Sequence, residues 1–258
     1  MEPLRKNPDA AGGPRTPSRQ NGRPRQPEAQ SEPRVLGGAP PGHYVLVGHG
    51  RRNRFAAVLK RATDLVVATL MLVCLSPLFV VVALAIRLDS PGPIFFRQRR
   101  IGRDGREFTM LKFRSMSQDA THEAHHNYVT ALAAGPAEPL SGLRKLTGDS
   151  RVTRTGAIIR KASIDEGPQL LNVIAAQMSI VGPRPAVRYE LELYRPEHFE
   201  RFGVRPGITG LWQVSGRARL GFNEMLDLDV EYARHHGFLF DLWIMLRTPL
   251  AVLRAHTA

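Results

Sequence analysis

The chain has 258 residues, a formal net charge of +13 and one cysteine. That length admits one ordinary domain with tails, and the lone Cys74 excludes an intramolecular disulfide and any cysteine-based metal site. The cationic surplus calls for an acidic partner, which leaves nucleic acid, an anionic membrane surface or a phosphorylated small molecule.

Residues 1–50 read as a disordered tail rich in Pro, Gly and Arg, because they carry too few large apolar side chains to offset the entropy of ordering. Tyr44-Val45-Leu46-Val47 is an apolar patch within it, a stray strand at most. Residues 51–88 form a basic lead-in, with Phe55, Val58 and Leu59 on one face, followed by an apolar helix. From Leu65 to Ile86 about 22 residues pass without a charge, enough to reach across a bilayer core. Ser76 and Pro77 stand in the middle, and proline removes a helix donor and crowds the preceding turn. Arginine and lysine flank the run on both sides, and such residues favour the cytoplasmic side. A helix that enters, breaks at Ser76-Pro77 and leaves by the same face satisfies both flanks. A bitopic helix kinked by proline is the alternative. The lone cysteine and the basic flanks place the remainder in a reducing, cytoplasmic compartment.

Residues 89–258 read as a compact cytoplasmic domain. Asp89-Ser90-Pro91-Gly92-Pro93 stops the helix. The runs 94–98 and 107–113, joined through Gly102-Arg103-Asp104-Gly105, predict a β-hairpin. Residues 117–148 read as a polar loop whose His122, His125 and His126 lack a ligand spacing. A helix over 155–163 follows, and Asp165-Glu166-Gly167-Pro168 opens the next, with Leu170, Leu171, Val173 and Ile174 as its apolar stripe. Gly182-Pro183-Arg184-Pro185 is an extended, stiff loop. A helix over 187–202 is interrupted at Pro196, residues 206–210 make a tight loop, and 222–235 is helical with an acidic face. Phe238–Arg254 reads either as an interfacial amphipathic helix with Trp243 at headgroup depth or as a core helix. The fold class is α/β, mainly α: a re-entrant membrane helix, then a compact helical domain with a small hairpin and interfacial amphipathic helices.

Two acids at a helix start serve either as caps or as chemistry. Asp165 and Glu166 have Arg160, Lys161, Arg184 and Arg188 within two dozen residues, and guanidinium forks match phosphate oxygens. A carboxylate held ionised among arginines can attack phosphorus, and its neighbour can hold a divalent cation beside a pyrophosphate. Arg184, locked between Pro183 and Pro185, is either a preorganised phosphate ligand or a solvated arginine on a rigid turn. The Pro206–Gln213 run offers backbone donors or simply turns.

Four motifs occur in order: Lys112-Phe113-Arg114-Ser115-Met116; Ser163-Ile164-Asp165-Glu166-Gly167-Pro168-Gln169-Leu170-Leu171-Asn172-Val173; Met178-Ser179-Ile180-Val181-Gly182-Pro183-Arg184-Pro185; and Arg205-Pro206-Gly207-Ile208-Thr209-Gly210-Leu211-Trp212-Gln213-Val214 with Gly216-Arg217. Together they resemble the bacterial sugar transferases that are monotopic polyprenyl-phosphate phosphoglycosyl transferases, over residues 55–250. The resemblance implies transfer of a sugar-1-phosphate from a UDP-sugar to undecaprenyl phosphate with release of UMP, the first membrane step of exopolysaccharide or glycoconjugate synthesis. By that similarity Asp165 is the nucleophile, Glu166 pairs with it, and the two hold Mg²⁺. Lys112, Arg160, Pro183, Arg184, Pro185, Gly207, Gly210 and Gln213 fall at substrate-binding positions, and Ser76-Pro77 at the helix break. Asp229, Tyr232 and Asp241 match the pattern after the glycine loop. The setting implied is the cytoplasmic face of a bacterial inner membrane, with membrane lipids as neighbours; a homo-oligomer is compatible.

The chain departs from the pattern at Ala176-Gln177, where the family often carries Gly-Asp, and at His236-Gly237. The lost carboxylate leaves room for a catalytically silent membrane scaffold as the alternative function. No nucleic-acid partner is expected, because stacking aromatics are few and no reading motif occurs.

Overall fold

The computed structural model describes residues 54–117, 151–216 and 219–257. The N-terminal tail and the 117–148 loop with its three histidines therefore lie outside the described residues, apart from Ser117.

Helix α1 runs from Arg54 to Asp89 with Pro77 inside it. It is the one described helix long and apolar enough to cross a membrane, with a mean hydropathy of 2.8 and only 11 % of its most apolar stretch buried. A core helix of a soluble protein would hide that stretch. Its four buried side chains are Asp64 and Ala68 on one flank and Val82 and Ile86 on the other. Ser76 turns its hydroxyl back to the Val73 carbonyl at 2.8 Å. Both flanks are stitched to the same body of protein. At the start, Arg61 donates to the carbonyls of Val173 and Ile174 at 2.7 and 2.9 Å. At the end, Arg114 donates to the carbonyls of Ser90 and Pro91, just past the helix, at 2.7 and 2.8 Å.

Strands β1 (Phe95–Ile101) and β2 (Glu107–Phe113) pair antiparallel, Phe95 opposite Phe113 and Ile101 opposite Glu107. Asp104 and Gly105 take positive φ in the connecting turn, as the hairpin reading requires. Helix α2 (Arg154–Lys161) is capped by the Thr153 hydroxyl, which accepts from the Gly156 N–H at 2.9 Å. Helix α3 is short, Gln169–Ile174.

Strands β3 (Ser179–Val181) and β4 (Gly207–Thr209) then pair in parallel, so the tight loop expected at 206–210 is a strand. The backbones approach so closely that a Cβ on Gly207 would lie 2.1 Å from the Gly182 nitrogen. The helix expected over 187–202 is two 3₁₀ helices, Arg188–Leu193 and Pro196–Gly203. Pro196 lacks the N–H that would carry the first into the second. Helices α4 (Leu211–Ser215), α5 (Phe222–His235) and α6 (Phe238–Thr257) complete the fold.

Helix α6 buries one face and exposes apolar residues on the other. Ile244 and Asp241 are buried, while Leu239, Leu246 and Leu253 on the other side are exposed. Arg247 lies 4.3 Å over the Trp243 ring. A polar cluster joins this helix to the start of α1: Lys60 pairs with Asp241 at 2.8 Å and donates to the Ser179 hydroxyl at 2.6 Å, and that hydroxyl donates to Asp64 at 2.9 Å. Tyr232 donates to Asp241 at 2.7 Å.

Candidate active site

Ser163 takes a left-handed backbone, φ 56°, and turns the chain out of α2. A 3₁₀ turn over Ile164–Glu166 follows, closed by the Gly167 N–H on the Ile164 carbonyl at 2.9 Å. Asp165 and Glu166 therefore occupy a turn of their own, and α3 begins afterwards with Pro168 at its N-cap. This corrects the expectation that the acids open that helix. Pro168 has no N–H for the Ile164 carbonyl, so the tighter i to i+3 bond forms instead.

The acidic turn is pressed against α1 just past Pro77. A Cβ on Gly167 would stand 2.5 Å from the Phe79 ring. Lys112 on β2 reaches Glu166 at 2.8 Å, and Arg160 comes from the last turn of α2. Burial pushes the Asp165 carboxyl up to about 6; Glu166 beside it adds to the rise, and Lys112 and Arg160 oppose it. Both acids are hard oxygen donors of the kind Mg²⁺ accepts. No larger cluster of acids, histidine or cysteine occurs among the described residues.

Beside the turn opens a cleft of about 230 Å³. Of the residues singled out in the sequence, Lys112, Glu166, Arg184, Pro185, Gly207 and Gln213 line it. Asp165, Arg160, Pro183 and Gly210 are not among the lining residues. The Pro183 carbonyl accepts from the Gly207 N–H at 2.9 Å. Gly210 caps α4, where a Cβ would meet the Gly182 carbonyl at 2.4 Å. Ser76 and Pro77 are exposed on α1.

Arg184 is half-buried and firmly held. It pairs at 2.9 Å with Glu190, whose side chain is fully buried and also accepts from the Val187 N–H at 3.0 Å. Burial would raise the Glu190 carboxyl, but Arg184 and Arg100 outweigh it and hold the group below its usual range. Asp229 accepts from the Arg184 N–H at 3.2 Å and pairs with the buried Arg201, which also bonds Tyr194. This lattice brings together residues distant in the chain, and the sequence reading missed Arg100, Glu190 and Arg201. The alternation of β1 places Arg100 on the face opposite Arg97 and Arg99, a signal that could have singled it out.

Gln177, at the position of the missing carboxylate, bonds the short helix α3. Its amide oxygen accepts from Asn172 at 2.7 Å, and Asn172 bonds the β2 backbone at Thr109 and Leu111.

Residues 55–255 match the family described as bacterial sugar transferase. The exopolysaccharide production protein ExoY of Sinorhizobium fredii is 42% identical over 203 residues, which is 79% of this chain and 89% of that protein. The undecaprenyl-phosphate galactose phosphotransferase of Salmonella typhimurium is 38% identical over 218 residues, 82% of this chain but 44% of the longer relative. The UDP-glucose:undecaprenyl-phosphate glucose-1-phosphate transferase of Xanthomonas campestris pv. campestris is 35% identical over 215 residues, 80% of this chain and 41% of its own length. The chain belongs to the bacterial sugar transferase family, and its type is the polyprenyl-phosphate phosphoglycosyl transferase.

Proposed function

We propose that this enzyme transfers a sugar-1-phosphate from a UDP-sugar to undecaprenyl phosphate, releases UMP, and passes through a phosphosugar bound covalently to Asp165. The observation that carries the reading is the place of the acidic turn, between a cationic cleft and an apolar helix. A soluble anionic donor and a lipid acceptor have to meet one nucleophile, and that position faces both.

In the first step an Asp165 carboxylate oxygen attacks the sugar-bearing phosphorus. The bond to the bridging oxygen breaks, and UMP leaves with its electron pair. In the second, an oxygen of undecaprenyl phosphate attacks the same phosphorus, the bond to Asp165 breaks, and the lipid diphosphosugar forms. Lys112 and Arg184 stabilise the charge that moves onto the phosphate oxygens. Asp165 and Glu166 would hold Mg²⁺, which when bound supplies further positive charge to the pyrophosphate. Splitting the transfer in two lets donor and acceptor use one site in turn, so ping-pong kinetics are expected.

The packing of both α1 flanks on one body supports a re-entrant helix and a cytoplasmic-face domain on a bacterial inner membrane, with the exposed leucines of α6 at the lipid interface. The side chain at 177 bonds Asn172 of α3, which in turn bonds the β2 backbone. The test is Asp165→Asn with radiolabelled UDP-sugar and undecaprenyl phosphate: loss of lipid-linked product is expected, and retained turnover overturns the reading.

A further inference from the structure

Arg100, near the end of β1, is 7 % exposed and lines the cleft with Arg184. Its Nη1 donates to the Pro185 carbonyl at 2.9 Å, and its Nε and Nη2 share the Gln98 amide oxygen at 3.1 and 2.7 Å. All these acceptors are neutral. Among the described residues no carboxylate lies within ion-pair distance of it. The other buried arginines are accounted for. Arg201 pairs with Asp229, and Arg114 closes on the carbonyl end of α1. Lys112, on the same cleft, is matched by Glu166.

The Glu190 carboxylate acts on Arg100 only beyond ion-pair distance and is already paired with Arg184, so two guanidiniums share one buried anion, a costly arrangement. Burial, then the nearby Arg184, brings the Arg100 pKa down to about 10, with Glu190 opposing the fall. The bond to Pro185 also fixes Arg100 against the loop that carries Arg184, so the two forks are oriented before a ligand arrives.

We propose that Arg100 is a second phosphate-binding guanidinium of the cleft, contacting a non-bridging oxygen of a nucleoside diphosphate alongside Arg184. The assignment rests on the phosphosugar-transfer reading and deepens it. Lys112 and the acidic turn take the sugar-bearing phosphate, and Arg100 with Arg184 takes the phosphate that leaves with the nucleoside.

The test uses the full chain in lipid nanodiscs. Equilibrium binding of UDP is measured for the wild type, Arg100→Gln, Arg100→Lys and Arg97→Gln, with melting temperature as the control for folding. Arg97 is an exposed arginine on the same strand and controls for the loss of one positive charge. Arg100→Gln is expected to weaken UDP by on the order of tenfold at an unchanged melting temperature. Arg97→Gln should leave the affinity within about twofold. UDP affinity unchanged in Arg100→Gln overturns the proposal. Should that variant melt early, Arg100→Lys decides. It keeps the charge and loses the planar fork, so a drop of about threefold is expected and an unchanged affinity overturns the assignment. Release of UMP from UDP-sugars by the wild type is read in parallel. UDP binding without UMP release would remove the transfer reading while the variant series still judges Arg100; a wild type that binds no UDP removes both.

Discussion

In the proposed role Asp165 carries a conflict between stability and chemistry. Burial and Glu166 disfavour its ionised form, yet only a carboxylate would attack phosphorus. Its pKa in the folded protein is raised to about 6. The native state therefore holds a proton that the unfolded chain has already released, and stability falls as pH rises through that window. Above it, Asp165→Asn should abolish turnover while melting no lower than the wild type, and a variant that melts well below the wild type would show a supporting role instead. The rate of UMP release at low substrate should rise with pH and level off above about 6; a profile flat from pH 5 to 8 would contradict the assignment. A second residue-scale case is Ala176, held at φ 61° with a side chain that penalises left-handed backbone. Ala176→Gly should stabilise the fold by about 0.5–1 kcal/mol, read as a higher melting temperature with unchanged activity.

Among the elements, the cluster around Lys60 fastens the start of α1 to β3 and α6. Lys60→Ala would leave Asp64 and Asp241, both buried, without their cation. A loss of about 3–5 kcal/mol is expected, seen as a large drop in melting temperature; a loss under about 1 kcal/mol would mean water reaches the pair. The elements legible in the sequence were those set by local signals. Hairpin β1–β2 announced itself through its turn, and α5 emerged at its expected span through its periodicity. Strands β3 and β4 did not, because three residues are too few to show a period and their pairing joins residues 28 apart, 179 with 207. The acid pair and the arginine between prolines were legible as residue types in a motif. Glu190 and Arg201 were not, since their meaning comes only from partners brought together by folding.

At the scale of the whole molecule, the proposed reaction needs water-soluble and lipid chemistry to meet at one surface, and α1 is built back onto the protein at both ends. Val82 and Ile86 cluster with Phe113 and Ile159, while Ala68 clusters with Leu170 and Val173, so both ends of α1 return to the protein. In a Cys74→Ala background, Phe55→Cys and Leu88→Cys sit on exposed flanks of α1. A membrane-impermeant thiol reagent should label both from the same side of the membrane, and opposite sides would establish a spanning helix. The most direct test of the mechanism is the intact mass of the protein after exposure to a UDP-sugar without lipid acceptor. A gain equal to one phosphosugar, mapped to Asp165 and discharged by undecaprenyl phosphate, is the expected result. UMP release with no adduct, or an adduct on another residue, would contradict it.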